Sequence, residues 1–579
     1  MPLENDKAGG FALTLSEELR TGIFPDQYPN RVPLWEDGQD VRFTDVGVAK
    51  AGAYEEIIDT GNGSPIRGIL QTEESSTAIA YFGDLTRLYR GDLVGRSSTV
   101  VGSGYNLLSD AGASEWDGGS TTWDGGSTLW DFGLNDAEHW SIINYGTFIL
   151  ATAGTADGPL IKKTSGVFTP MYQGVVGVTI TNGGSGFVEG DTITFTDGGG
   201  SGAEYEVVSV VGGAISELKA NSGGSGYTSA PTTFTTSGVG TGAVLTGQVT
   251  DIDVITVKVW LQRGPHILGF NTSNSGREVI WCDADDPDTW VTASDNLAGA
   301  LEIRELKSDI IAAVPLGSRI AMYGDDQMFL LNYLGNDLVF GYQPALNGIG
   351  SVSPRSVVPV GPMNYGLSSQ GFFRTDGSSV EYIDSGKVRH WFKNNFNKQQ
   401  ISKCVAFHDE EAQEIRWSFP TDSLSSEMSI AYGYEFDVWT FYSEGRTAAE
   451  ERTRAPYPVT GTDDGKILYE NSGFNAGPSA VTSWVRSKPM DLGDPDRVKE
   501  LSSLRVGYRG SGLQYRIGWA ETENGTITWG AYTDVNEGYD FHNLRTAGRY
   551  LFIELYSDSV GIDWELMSLE IQGRTEGTR

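Results

Sequence analysis

Cysteine is almost absent: only Cys282 and Cys404 occur in 579 residues, far apart in the chain. Two thiols make neither a disulfide framework nor, by themselves, a four-ligand zinc site, so two buried free thiols are expected. Basic residues are scarce too, 41 Lys and Arg against 76 Asp and Glu, for a net charge of −35. Gripping nucleic acid through its phosphates needs clustered Lys and Arg, which this balance argues against. No apolar run is long enough to span a bilayer, and the polar opening from Met1 to Gly10 lacks the apolar stretch of a signal peptide. Long segments with apolar residues at helical spacing are also missing. The best helix candidate is short, Ser16-Glu17-Glu18-Leu19-Arg20, with Ser16 placed to cap it.

What is abundant is glycine, 76 residues, and aromatics: 15 Trp, 25 Tyr and 24 Phe. Aromatic and β-branched residues suit pleated surfaces, and Gly supplies the positive φ that tight turns need. An all-β fold is expected. The length exceeds the roughly 250–300 residues at which a single core stops growing, so two to four domains are expected.

A hairpin theme recurs: an aromatic strand, a turn of Gly with Asp, and a second strand ending in an aromatic or aliphatic residue. It appears at Tyr81–Tyr89, Trp140–Ala151, Ala321–Leu330, Gly371–Val380 and Gly461–Tyr469. Irregular recurrence at tens of residues is how β-propeller blades without a sharp consensus present themselves. A β-sandwich would give similar hairpins; the propeller is preferred. Its blades are placed in 1–171, with an N-terminal arm, and in 251–475.

Residues 172–250 differ. Gly183-Gly184-Ser185-Gly186-Phe187 is echoed by Gly223-Gly224-Ser225-Gly226-Tyr227, forty residues on. Each is followed by a second Gly-rich turn, 198–202 and 238–242. This segment is a duplicated small β unit with six acids and one base, expected as an insertion projecting from the propeller surface. Residues 476–579 form the last unit. The alternation in Leu513–Trp519 and Tyr550–Leu555 implies a sandwich with one wet face. Its 15 acids and 11 bases nearly balance, which suits contacts with other subunits.

Asp117-Gly118-Gly119-Ser120-Thr121-Thr122-Trp123 repeats at once as Asp124 to Trp130. It resembles the Asp-box of sialidase-type propellers, but has an extra residue before each Trp and lacks the spaced Ser; it reads as Trp-anchored turns. Between Trp281 and Trp290 lie Asp283, Asp285, Asp286 and Asp288. A calcium loop would need Gly at its sixth position and a distal Glu, so a solvated acidic turn between two Trp-bearing strands is preferred. His139, His266, His390, His408 and His542 show no metal spacing and no nucleophile context. No residue is assigned a catalytic, cofactor-binding or metal-binding role.

Several segments, in order, resemble the tail nozzle proteins (tail tube, packaged-DNA stabilisation) of short-tailed bacteriophages. They are Asn30–Phe43 with Lys50-Ala51-Gly52; Val279-Ile280-Trp281 leading into Asp286–Trp290; Gly371–Ile383; Cys404–Phe419 with Glu414-Ile415-Arg416-Trp417; Tyr434–Phe441; and Ala547–Tyr550, Trp564 and Gly573-Arg574. The resemblance implies a non-enzymatic virion protein with a propeller and a β platform. It implies six copies around a channel below the portal and adaptor rings, assembled in the bacterial cytoplasm, with tail fibres or spikes as further partners. DNA would pass the lumen without specific binding, and acidic walls would repel its phosphates. The competing expectation is a propeller that binds or degrades glycans during host attachment.

Overall fold

The computed structural model of the chain describes residues 4–5, 10–16, 18–26, 34–105, 107, 138–154, 160–163, 167–171, 174–250, 252, 256–335, 338–421, 425–492 and 494–575. The tandem turns at 117–130 and the start of the Asn30–Phe43 segment lie outside them. The fold is all-β. Among the described residues no helix is long and apolar enough to cross a membrane.

Among the described residues, seven four-stranded antiparallel sheets follow one another around the insert and the terminal unit. Their first strands are Gly68–Glu74, Ser141–Tyr145, Val257–Arg263, Ala312–Leu316, Val357–Val360, Val405–Asp409 and Ala448–Glu450. Each first strand touches the next, and the seventh returns to the first. The cycle is closed: these are the innermost strands of a seven-bladed β-propeller, numbered I to VII here in chain order. Second strands are sandwiched between neighbouring blades, so even their polar side chains are buried, as Glu414, Arg416 and Ser418 are in blade VI. His266–Thr272 in blade III and Glu414–Pro420 in blade VI are buried at every position.

Blade VII is composite. Ala448–Glu450, Val459–Gly461 and Lys466–Glu470 supply three strands, and the outermost is Tyr54–Asp59, from near the other end of the chain. The ring is thus fastened by pairing residues some 400 positions apart in sequence, which removes a free edge at the seam.

The Asp-bearing turns hold the hairpins. In blade I, Asp84 is fully buried. Its carboxylate accepts from the Thr86 and Arg87 amides, each at 2.7 Å, from the Tyr89 hydroxyl at 2.9 Å and from Asn62 Nδ2 at 2.6 Å. In blade V, Asp376 accepts from the Ser378 and Ser379 amides.

Between blades II and III the insert folds as two sheets, Val175–Ser185 with Thr241–Val249, and a four-stranded sheet built on Ser201–Val211 and Ala214–Ser225. Its repeats exchange contacts. Tyr227 of the second lies against Gly200 of the first, and Phe187 of the first lies against Gly240 of the second. Gly184 and Gly224, equivalent positions, both have positive φ. The second Gly-rich turn of each repeat is therefore the seat for the other's aromatic ring.

The C-terminal unit is two sheets completed by the N-terminus. Gly10–Leu15 and Val48–Lys50 pair with Trp564–Thr575, and Trp35–Gln39 pairs with Ser483–Ser487. Its core is continuous with blades V and VI: Leu15, Trp35, Val485, Ile553 and Leu569 belong to the same buried cluster as Phe372, Trp417 and Trp439. The arm also lies along the outer strand of blade VI, with the Ile23 amide donating to Trp439 O at 2.9 Å and the Asp40 amide to Phe441 O at 2.8 Å.

Three expectations are corrected. The Ser16–Arg20 helix is a single 3-10 turn, Glu18–Arg20, because the flanking strand Gly10–Leu15 is held in a sheet. Tyr550–Leu555 has no wet face, since positions 551–555 are all buried. Its strand is central, between Ser483–Ser487 and Gln514–Ala520, and Glu554 on its outer face is covered by Arg486, Arg516 and Tyr532. Trp290, expected in a strand, lies in a loop, its ring 5.6 Å from Trp260.

Candidate functional site

The residues just before a blade's first strand project toward the propeller axis, and this sequence places polar groups there. His139 precedes blade II, Arg355 blade V and Lys403 blade VI. Blade II lies across the ring from blades V and VI, and side chains span the gap. Arg355 Nη2 donates to Trp140 O at 2.6 Å, and His139 Nε2 lies 2.9 Å from Ser402 O. The axis is therefore crossed at this end.

The crossing depends on the connection between blades V and VI, which carries a helix, Arg389–Asn395, and a 3-10 segment, Lys398–Lys403. Asp26, from the N-terminal arm, accepts from the Trp391 amide at 2.9 Å at the start of the helix. Phe392 anchors it, 4.8 Å from Phe372 and 4.9 Å from Phe419. Asn397 begins the 3-10 segment by accepting from the Gln399 amide at 3.1 Å.

Outside this crossing is a cavity of about 850 Å³. Its walls are mainly apolar, with Ile310, Val352, Leu367, Phe392, Phe396 and Ile401. Its lining also includes three lysines, 258, 393 and 398, and the acids Glu138, Asp309 and Asp325. Asp384, also in the lining, is fully buried and engaged by Arg389 at 2.6 Å and by the Phe372 amide at 3.1 Å.

Electrostatics at the crossing are unusual for so acidic a chain. Burial, then the charges of Arg67, Arg355 and Lys403, push the His139 pKa down to about 3. The imidazole is neutral at physiological pH. A carbonyl only accepts, so the ring proton sits on Nε2, facing Ser402 O, and Nδ1 carries a lone pair. Nδ1 is buried and meets no hydrogen-bond partner among the described residues. On the axial side of blade VII, burial raises the Glu450 pKa to about 7, although Arg355 opposes the shift.

A second polar cluster is structural. Glu470 in blade VII accepts from Arg416 Nη1 at 3.0 Å, Arg446 Nε at 2.5 Å and Thr460 Oγ1 at 2.7 Å. Arg416 also lies over the Tyr442 ring at 3.7 Å. Beside it, Arg42 of the arm meets Glu414 at 3.2 Å. These pairs join blade VI to blade VII and tie the arm to both.

The residues singled out from sequence are dispersed. His139 alone of the histidines reaches the cavity. His266 is buried against Cys282 O in blade III, His408 meets Tyr434, His542 packs on Tyr515, and His390 is on the exposed helix. Both cysteines are buried free thiols, and burial raises Cys282 to about 12 and Cys404 further. The acidic turn uses its carboxylates internally. Asp283 accepts from the Ala284 and Leu297 amides, and Asp286 from the Asp288 amide and Thr289 hydroxyl. Arg355, Lys403 and Glu450 were not visible as a group; the available signal is that the first two lie within two residues of a blade's first strand.

No family model matches the chain, and no curated protein matches it. Among solved structures it is similar to the extracellular domain of BT4673 from B. thetaiotaomicron, named in one structure as a one component system and in another as a hybrid two component system. The first has a TM-score of 0.27 at 10% identity, over 82% of this chain and 47% of that chain. The second has the same TM-score and identity over 83% and 47%. The chain spans about half the length of these structures.

Proposed function

We propose that the chain is a structural subunit of a short-tailed bacteriophage tail, forming the distal nozzle ring that retains the packaged genome and conducts it during ejection. The observation that carries this reading is the joining of propeller and sandwich through one buried core and a shared N-terminal arm. A subunit built this way transmits load between its two parts instead of hinging, which suits a conduit under pressure from packaged DNA. The order of nozzle-like segments along the chain supports it independently.

Within this reading DNA does not thread a single protomer, because the propeller axis is crossed by Arg355 and His139. The conduit lies between protomers, six to a ring. The net charge of −35 keeps its walls from holding phosphates. The outer face of the C-terminal sheet offers Trp484, Trp529, Tyr532, Arg486 and Arg516 as one stacked group, with Arg516 4.4 Å from the Trp529 ring and 4.6 Å from that of Tyr532. Trp, Tyr and Arg dominate interface hot spots, so this face is assigned to contacts with neighbouring subunits or the adaptor ring. No catalytic role is proposed.

Sedimentation velocity of the purified full chain, alone and with the adaptor ring of the same phage, tests the proposal. A six-copy complex is expected in at least the second case, and a monomer in both would overturn it. A second reading, a glycan-binding tail protein for host attachment, is favoured by one observation, the cavity at the axial mouth.

A further inference from the structure

We propose that the end of blades III and IV opposite the axial crossing is a docking face for the basic segment between blades V and VI of a second copy of this chain, so that protomers join head to tail. The inference rests on the ring reading above and names a junction for it.

Large apolar side chains stand exposed at that end: Leu338 at 68%, Tyr333 and Val291 at 49%, Leu334 at 46% and Leu297 at 41%. Buried aromatic rings hold them together. The Phe340 ring lies 5.5 Å from that of Tyr333 and 5.2 Å from that of Trp281, whose indole N–H donates to Leu297 O at 2.8 Å. Asn296 Nδ2, next to Leu297, donates to Val291 O at 2.9 Å. Two neighbouring blades thus build one apolar surface that nothing in the protomer covers. Monomeric soluble proteins rarely leave such a surface open, and an open one marks an interaction site.

Charge selects the occupant. Residues 281–299 hold five aspartates and no base, and Asp285 and Asp295 are exposed. Two such faces repel each other, so the partner surface is a different one and carries cations. Residues 385–408 supply it, with five bases and no acid. Lys387 and Arg389 are taken by Asp437 and Asp384, and Lys403 is buried. Lys393 and Lys398 are exposed and have no ion pair among the described residues, and Phe396 between them is half-buried. Phe396 and the lysine stems would lie on the leucines while the ammonium groups meet the aspartates. The placement also fits. The docking face lies on connections from third to fourth strands, and the basic segment lies just before the first strand of blade VI. Because successive strands alternate in direction, these are opposite ends of the propeller. Each copy therefore engages two neighbours through unlike faces, the kind of contact that closes into a ring.

Sedimentation velocity of the full chain, in the condition that gives the six-copy species, tests the junction. Leu338→Asp puts a charge on the apolar face, and Lys393→Glu combined with Lys398→Glu reverses the basic one. All three positions are exposed, and circular dichroism checks that each variant folds; Val291→Asp replaces Leu338→Asp should that one not fold. Each variant alone is expected to lose the six-copy species. Mixed in equal amounts, the two are expected to form a two-copy complex and stop there, because each keeps the face the other has lost. The proposal is overturned if either variant assembles as wild type does, or if the mixture stays monomeric. Rings that persist in the variants sink this junction and leave the ring reading standing. A wild-type chain that is monomeric with and without the adaptor ring sinks the ring reading itself, and the junction with it.

Discussion

Replacing Glu470 by Gln removes the one negative charge between Arg416 and Arg446 at the junction of blades VI and VII. Glu470 and both guanidiniums are only 2–3% exposed. Burial alone would raise the Glu470 pKa, but Arg446 and then Arg416 outweigh it and bring it from 4.5 down to about 2. A depression of that size corresponds to about 3 kcal/mol favouring the folded state at neutral pH. Breaking a buried pair from one side costs about 3–5 kcal/mol, and the lower end is expected here because Arg446 keeps Glu444 at 3.1 Å. Glutamine adds a second fault, since its amide N–H groups would face one of the arginines. The melt is best followed by tryptophan fluorescence, as Trp417 and Trp439 in blade VI are fully buried. The variant should melt about 2–4 °C below wild type at pH 7, the size of shift such a loss gives in a chain this long. The sign of the pH effect follows from the depressed pKa. The contribution is complete above pH 4.5 and fades as pH falls toward 2, so the gap between wild type and Glu470→Gln should close across that window. A variant melting within about 1 °C of wild type at pH 7, or a gap that stays constant through the acid range, would refute the reasoning.

Asp84→Ala should cost about 2–3 kcal/mol, because the carboxylate accepts five hydrogen bonds, four from the blade I hairpin and one from Asn62; hydrogen exchange at the Thr86 and Arg87 amides should rise selectively. Gly200→Ala places a methyl group against the Tyr227 ring, so limited proteolysis should open residues 175–249 while the main melting transition stays unchanged. Glu450 has a raised pKa of about 7, so its contribution is present at low pH and is lost as pH rises through 7. Glu450→Gln should therefore gain on wild type as pH rises from 4.5 to 7 and keep a constant advantage above pH 7, read from urea midpoints.

The hairpins were legible because their signals are local. Tyr81–Tyr89, Ala321–Leu330 and Gly461–Tyr469 each contain the turn between a blade's second and third strands, and in Tyr81–Tyr89 the Asp84 contacts with Thr86, Arg87 and Tyr89 lie within five residues. The duplication at Gly183 and Gly223 was legible as a repeat, but the exchange of Phe187 and Tyr227 between repeats was not, since nothing in one repeat names its partner. The fate of the N-terminus was hidden for the same reason. Pairing Tyr54–Asp59 with Lys466–Glu470, or Gly10–Leu15 with Trp564–Thr575, is a long-range choice that strand-like residues alone do not dictate. The helix at Arg389–Asn395 is too short to show a periodic stripe and is fixed by Phe392 and Asp26 instead. The axial cavity draws on connections to blades II, IV, V and VI, so it has no sequence signature before the ring is closed.

Electron microscopy of the purified chain with its adaptor ring tests the central claim most directly. Six-fold rings are predicted, with the propeller axes away from a central opening whose lining is acidic. Isolated single protomers, or an opening lined by Lys and Arg, would contradict it.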